Sequence, residues 1–235
     1  MNHLKSGYTV YKSIFDWIFQ GKIQSGDKLP SATKISEDLS VSVGSVREAL
    51  QNLATIGFLD IVHGKGIFVT QGESLITEIF EARKILECMN VEMAARKITA
   101  DHLNGLKREM ERMEIILRSG NIRPFTDHDY NFHAIISEAC GNRFIRKAYE
   151  NTSNFTFYHL ATVHAYPGNP DMSCEHHRRI VDALEKGDGA RARREMHIHL
   201  DTAQKIALKV IESQIEQSRY NHDEAQAECG DYRAR

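Results

Sequence analysis

The sequence predicts two domains, an N-terminal winged helix-turn-helix (α+β) and an all-α antiparallel helical bundle. Residues 26–70 place two short helical patterns directly before a two-stranded pattern, which is the order of a winged helix-turn-helix. After residue 73 the periodicity is helical, and we find no strand pattern of useful length there. The 235 residues exceed one average domain and suit two. The first domain therefore indicates duplex DNA as a partner.

Composition narrows the class of protein. Hydrophobic residues make up 41% of the chain and only four prolines occur, which favours a packed core over a collagenous or disordered chain. The four cysteines (Cys88, Cys140, Cys174, Cys229) are scattered without a CxxC pair, as is typical of structural thiols in a reduced compartment. No apolar run approaches the ~18 residues of a membrane span, and the N-terminus lacks the apolar core of a signal peptide. We expect a cytoplasmic protein without membrane contact.

The N-terminal helices can be placed from apolar spacing and capping residues. Residues 9–20 have the periodicity of a first helix. Ser31 is the predicted N-cap of a second helix, which should bury Ile35 and Leu39. Ser42 can cap a third helix, whose apolar stripe is Val46, Ala49, Leu50 and Leu53. Its opposite face then presents Gly44, Ser45, Arg47, Glu48 and Gln51, which makes this helix the candidate reader of the major groove.

The third helix is followed by a predicted hairpin. Leu59 and Ile61, then Ile67 and Val69, alternate with other residues as strands do, across a turn at 63–66. This hairpin is the predicted wing. Residues 1–70 contain seven Lys and Arg against six Asp and Glu. That small positive excess counts against tight non-specific DNA binding.

We predict domain boundaries from changes in pattern and polarity. The winged helix-turn-helix should occupy 1–70, a short polar linker 71–73, and the helical domain 74–217. The polar and aperiodic residues 218–235 should form a loose tail. The predicted helices after the linker are 75–98, 100–118, 126–140, 143–165, 173–186 and 189–216.

Histidines and one aspartate suggest a metal site in the helical domain. Asp129 and His133 are four residues apart and share a helix face, while His177 and His199 lie on the last two predicted helices. Three imidazoles and a carboxylate meeting inside a bundle would suit a first-row divalent ion. Spacing alone favours the alternative that these are ordinary surface or core histidines. The competing histidines are His128, His176 and His197.

Arg83 and Glu87 are also four residues apart and allow two interpretations. They could form an exposed i,i+4 ion pair, which would stabilise a helix by a few tenths of a kcal/mol, about 0.3–0.5. Alternatively, Arg83 could bind a carboxylate inside the bundle through two parallel hydrogen bonds. The spacing does not decide between them.

Several motifs together resemble a known family of proteins. They are G-D-x-L-P-S at 26–31, V-S-x-x-x-V-R-E-A-L at 41–50, L-x-x-x-G-F-L at 53–59, R-x-x-L-E at 83–87, D-x-x-F-H at 129–133, G-N at 141–142, and H-x-x-I-x-x-A-L at 177–184 followed by G-D at 187–188. In these motifs the chain resembles GntR-type bacterial transcription regulators, in the FadR-like branch with an all-helical FCD ligand-binding domain. The resemblance extends from about residue 9 to 213.

The resemblance implies roles for particular residues. The family's four metal ligands correspond to Asp129, His133, His177 and His199, and the bound ion would be Zn, Ni or similar, often together with a small carboxylate effector. The family's effector-binding arginine corresponds to Arg83, and an asparagine that could bind a hydroxyl of the effector to Asn142. The implied DNA-binding set is Ser31, Thr33, Ser42, Gly44, Ser45, Arg47, His63, Gly64 and Lys65.

The chain departs from the family pattern at two DNA-facing positions. Relatives usually have arginines where this chain has Thr33 and Val43. Each contact between an arginine and a base contributes about 1–3 kcal/mol of discrimination against the wrong base. The operator sequence therefore cannot be inferred from relatives.

The sequence thus predicts a metabolite-responsive transcription regulator, a repressor, that is not an enzyme. A homodimer would bind a palindromic operator, since two-fold protein symmetry pairs two half-sites. Two alternatives use the same Asp/His₃ site. One is a metal-dependent hydrolase that activates water, and the other is a sensor of the metal alone.

Overall fold

A computed structural model describes residues 9–11, 13–14, 16–18, 22–23, 26–55, 57–70, 72–122, 124–164 and 166–231. These residues group into two compact units. One comprises the described residues of Met1–Leu75 and Lys209–Arg235, and the other comprises Ile76–Leu208.

The first unit contains the winged helix-turn-helix that the sequence predicted. Helix α1 is described at 9–11, 13–14 and 16–18. It is followed by helices α2 (Ala32–Leu39) and α3 (Val43–Thr55) and by strands β1 (Leu59–Val62) and β2 (Gly66–Val69). The strands are antiparallel, with Leu59 opposite Val69. An isolated bridge also joins Lys28 to Phe68 at the outer side of this hairpin.

Capping and apolar burial explain these elements. The Ser31 side chain accepts a hydrogen bond from the Lys34 backbone N–H, and Ser42 Oγ accepts one from Ser45 N at 3.1 Å. The predicted α3 stripe (Val46, Ala49, Leu50 and Leu53) is buried, as is Ile35 of α2. Leu39, which was predicted to be buried, is only half-buried, because α2 ends there and the chain turns at Ser40.

The second unit is built from helices. They are α4 (Gly72–Ala94), α5 (Ala100–Ser119), α6 (Phe125–Ala139), α7 (Arg143–His164), α8 (Asn169–Glu185) and α9 (Gly189–Asp231), of which α4 and α9 extend beyond it. Helix α5 packs on α6 and α8, and α6 packs on α7. The core between them contains Leu106, Met113, Phe125, Phe132 and Ile180.

Two predicted boundaries differ from the structure. Helix α4 begins at Gly72, inside the predicted linker 71–73. Helix α9 continues to Asp231, through most of the predicted tail 218–235. Residues 218–229 contain no glycine or proline, so nothing in them breaks a helix.

The sequence predicts no membrane-spanning segment. Among the described residues, no helix is both long enough and apolar enough to cross a bilayer.

Candidate metal centre and nucleic-acid interface

Four side chains from three helices meet inside the second unit. Asp129 and His133 project from α6, His177 from α8 and His199 from α9. One ligand-type atom of each residue lies within 4.8 Å of the other three. All four side chains are buried, and we call this group the His/Asp cluster.

The imidazole rings of the His/Asp cluster pack against one another and against one aromatic residue. The ring centroids of His133 and His199 are 5.1 Å apart, and those of His177 and His199 are 4.8 Å apart. Phe132 stacks on His177 at 4.0 Å and covers that side of the ring. Ring packing therefore contributes to the positions of all three imidazoles.

Several polar atoms of the cluster have no hydrogen-bond partner among the described residues. They are Asp129 Oδ1, both ring nitrogens of His133 and both ring nitrogens of His177. Asp129 Oδ1 and His177 Nε2 face each other at 3.5 Å, which is too long for a strong hydrogen bond. Buried polar groups are nearly always partnered, so this number of unpartnered nitrogen and oxygen atoms at one point fits a bound cation.

The protonation states also suit a cation. Burial lowers the pKa of His177 to about 3, although Asp129 opposes the shift, and burial lowers the pKa of His199 well below its usual value. For Asp129, burial would raise the pKa, but His164, His133 and His177 together lower it. Neutral imidazole and ionised carboxylate are the forms that bind metal ions.

Arg83 and Glu87 lie beside the cluster, and the exposed-pair interpretation is wrong. Both side chains are buried, and Arg83 Nε donates to Glu87 Oε1 at 2.6 Å. The second carboxylate oxygen, Glu87 Oε2, lies 2.6 Å from His133 Nδ1. Arg83 Nη1 is buried and has no partner among the described residues. Burial would raise the pKa of Glu87, but Arg83 and His133 outweigh it and lower the pKa to about 2.

Glu87 was not predicted to have a role of its own. Its Oε2 lies 2.6 Å from His133 Nδ1, although the contact lacks hydrogen-bond geometry. A carboxylate paired with one ring nitrogen leaves the other nitrogen for a metal ion, which is a common arrangement around metal-binding histidines. The sequence did contain a signal, since Glu87 follows Arg83 by one helical turn and shares its face.

His164 is a second residue that the sequence analysis missed. It is buried at the end of α7, with Nδ1 3.0 Å from Thr126 Oγ1 and Nε2 3.7 Å from Asp129 Oδ2. Asp129 therefore faces His177 with one oxygen and His164 with the other. His164 lies on the same side of the predicted helix as Tyr149, fifteen residues earlier, which is also buried. That spacing could have indicated that His164 points inward.

The competing histidines lie outside the cluster. His128 Nδ1 lies 2.7 Å from Glu109 Oε2, and His197 is exposed. His176 is half-buried, and its ring centroid is 5.8 Å from that of His199.

Asn142 has a structural role in this fold. Its side-chain Oδ1 accepts hydrogen bonds from the backbone N–H groups of Phe144 and Ile145, so it caps the N-terminus of α7. Its predicted contact with an effector would have to come from the amide nitrogen alone.

The predicted DNA-binding residues lie in the first unit, and one of them departs from expectation. Arg47 is exposed on α3, and His63, Gly64 and Lys65 are exposed at the turn of the hairpin. The other exposed members of the predicted set are Ser31, Thr33, Ser42 and Gly44. Ser45, by contrast, is buried, because its hydroxyl turns back to Ser42 Oγ at 2.9 Å. Its side chain therefore does not belong to the exposed face.

We expect Arg47→Ala combined with Lys65→Ala to weaken DNA binding at least about tenfold at roughly 0.1 M salt, because both residues are exposed cations on the elements predicted to contact DNA. Anisotropy titrations with a duplex that the wild-type protein selects from random-sequence DNA would measure the change. Lys147→Ala removes an exposed cation from α7 and is the control. Unchanged affinity in the double variant would contradict this docking mode.

Comparison with known proteins agrees with this arrangement. The FCD domain family matches residues 78–202, and the family described as bacterial regulatory proteins, gntR family, matches residues 7–69. Together the two matches cover the winged helix-turn-helix and nearly all of the helical unit.

Several curated relatives are transcription regulators of similar length. The HTH-type transcriptional regulator LutR of Bacillus subtilis is 24% identical over an alignment of 220 residues, which covers 85% of this chain and 100% of LutR. The Uxu operon regulator of Haemophilus influenzae is 28% identical over 83% of this chain and 78% of its own length. The Exu regulon transcriptional regulator of Escherichia coli K12 is 26% identical over 81% and 80%.

A solved structure shows the same fold. E. coli McbR/YncC superposes with a TM-score of 0.62 at 18% identity, over 94% of this chain and 99% of that one. The family matches place a DNA-binding winged helix-turn-helix before an FCD effector domain, and the relatives are regulators rather than enzymes. This chain therefore belongs to the GntR family of bacterial transcription regulators, with an FCD domain as its second half.

Proposed function

We propose that this regulator senses a small carboxylic acid through a divalent metal ion bound at the His/Asp cluster. The observation that supports the proposal most strongly is the convergence of four buried ligand atoms within 4.8 Å of one another. Three imidazoles and one carboxylate are a donor set that suits Zn²⁺, Ni²⁺ or a similar first-row ion. Asp129, His133, His177 and His199 would hold the ion.

Four protein ligands leave room for a further small ligand. A six-coordinate ion with this donor set keeps two positions, which suits a chelating acid. Arg83 supports the same interpretation, because its Nη1 is a buried donor without a partner among the described residues. An unsatisfied buried donor costs about 1–3 kcal/mol, and a ligand oxygen would remove that cost.

Control of DNA binding would follow from thermodynamic linkage. If the acid changes the affinity for the operator, the operator must change the affinity for the acid by the same factor. We propose that the chain acts as a homodimeric repressor on a palindromic operator, because a two-fold protein presents two equivalent recognition helices.

We expect acids to stabilise the metal-loaded protein and to have no effect on protein stripped by a chelator. At about 100 times the dissociation constant, binding adds ~2.7 kcal/mol, which is roughly 5–10 °C in Tm for a chain of this size. A thermal-shift screen with glycolate, lactate and gluconate, run with Ni²⁺ or Zn²⁺ and without metal, would measure this.

The same screen separates the alternatives. If an acid raised the Tm of the metal-loaded and the metal-free protein equally, a joint metal and effector site would be refuted, while the regulator assignment would stay intact. If the metal raised the Tm but none of the acids raised it further, the protein would be a sensor of the metal alone.

A further inference from the structure

The charges around the His/Asp cluster restrict the acid that it can hold. Two charged residues of α4 lie beside the cluster: Arg83 interacts electrostatically with Asp129, and Glu87 Oε2 lies 2.6 Å from His133 Nδ1. Asp129, Arg83 and Glu87 are each at most 3% exposed. Their charges are therefore poorly screened by water, and each one affects the energy of a ligand bound among them.

The positive charge of Arg83 is already balanced. Its Nε donates to Glu87 Oε1 at 2.6 Å, and the other oxygen of Glu87 lies 2.6 Å from His133 Nδ1. Arg83 thus offers a ligand a free N–H donor at Nη1, but no uncompensated charge. The sequence of residues 154–163, whose side chains the structure does not describe, contains no Asp, Glu, Lys or Arg, and its one histidine, His159, is counted here as neutral.

The net charge follows from these groups. Two carboxylates and one guanidinium give the described protein groups one negative charge, and a divalent ion would bring the total to one positive charge. A monoanion then makes the buried site neutral, whereas a dianion leaves an unpaired negative charge. Unpaired buried charges are strongly unfavourable.

We propose that Glu87 sets the charge of this site and so restricts the effector to singly charged acids, with hydroxy monocarboxylates favoured over dicarboxylates. This inference rests on the proposed metal and effector site. A hydroxyl beside the carboxylate provides the second oxygen that the remaining metal positions and Arg83 Nη1 require. Glu87 is therefore a specificity-determining residue that acts through charge.

The substitution Glu87→Gln tests the role of the Glu87 charge, because glutamine has nearly the same shape as glutamate. The amide oxygen can still accept from Arg83, but the site gains one positive charge. Isothermal titration of Ni²⁺-loaded protein would compare acids that differ by one carboxylate: glycolate with tartronate, lactate with malate, and gluconate with glucarate. Metal content is measured in each variant.

We expect the wild type to bind the monocarboxylate of each pair at least about tenfold more tightly. Glu87→Gln should move that ratio toward the dicarboxylate by a factor on the order of 10–100, the size of a unit charge at short range in a partly buried site. Glu87→Asp keeps the charge and should keep the preference even if affinity falls. Glu114→Gln, which removes a carboxylate paired with Arg178 outside the site, should leave the ratio unchanged.

The outcomes separate this inference from the proposed function. Tighter binding of dicarboxylates by the wild type, or an unchanged ratio in metal-loaded Glu87→Gln, would overturn the inference alone. Loss of the preference in Glu87→Asp would also overturn it. If none of the six acids bound to the metal-loaded wild type, the proposed acid sensing would fail and the inference with it.

Discussion

Arg83→Ala should lower the free energy of unfolding of the metal-free protein by about 3–5 kcal/mol, the usual cost of removing one partner from a buried ion pair. The Glu87 carboxylate would remain buried after the guanidinium that donates to it at 2.6 Å is gone. The same substitution should also weaken the hold of Glu87 on His133, since the two are 2.6 Å apart. Arg83 therefore supports the metal ligands as well as any effector.

Urea denaturation would measure this loss against a matched control. Arg146 and Glu150 form another Arg–Glu pair at i,i+4 spacing, but both side chains are exposed by more than a third. Arg146→Ala should cost no more than about 0.5 kcal/mol. Combining Arg83→Met with Glu87→Gln should recover much of the loss, because no unpaired charge remains. If Arg83→Ala cost as little as Arg146→Ala, the buried pair described here would not exist.

The fold was predictable because its determinants are local. The α3 stripe from Val46 to Leu53 follows helical periodicity, and the alternation of Leu59 and Ile61 with Ile67 and Val69 indicated the hairpin register. Capping by Ser31 and Ser42 involves only the next three residues, so it too could be predicted from the sequence.

The candidate site was only partly predictable, because its geometry depends on tertiary packing. Helical spacing placed Asp129 beside His133, but it could not choose between His176 and His177, which are adjacent in sequence. Only the packing of α6, α8 and α9 decides which ring turns inward. The resemblance named the inward-facing set, and the structure brings those four side chains together.

Burial and partners account for the remaining differences. Spacing could not show that Arg83 and Glu87 are buried, nor that His164 would approach Asp129 from α7. Ser45 was assigned to the exposed face of α3 because helical phase ignores its hydrogen bond to Ser42. Asn142 was assigned to the effector by resemblance, and its capping contacts with α7 are visible only in the structure.

Removing two of the four cluster ligands should abolish metal binding. His133→Ala combined with His177→Ala leaves Asp129 and His199, which are too few donors for a tight site. Apparent binding free energies of tetrahedral zinc sites in small domains are about 10–16 kcal/mol at neutral pH, and they depend on the complete donor set. Occupancy should therefore fall from one ion per chain to none at micromolar metal. His128→Ala with His176→Ala removes two histidines from the same helices, α6 and α8, and is the matched control.

The most direct test of the proposed metal centre is the metal content of these proteins after equilibrium dialysis against Ni²⁺ or Zn²⁺, measured by mass spectrometry. We predict one ion per chain in the wild type and in the His128/His176 control, and none in the His133/His177 variant. A stoichiometric ion retained by folded His133/His177 protein, or no ion in the wild type, would contradict the assignment of Asp129, His133, His177 and His199 as ligands.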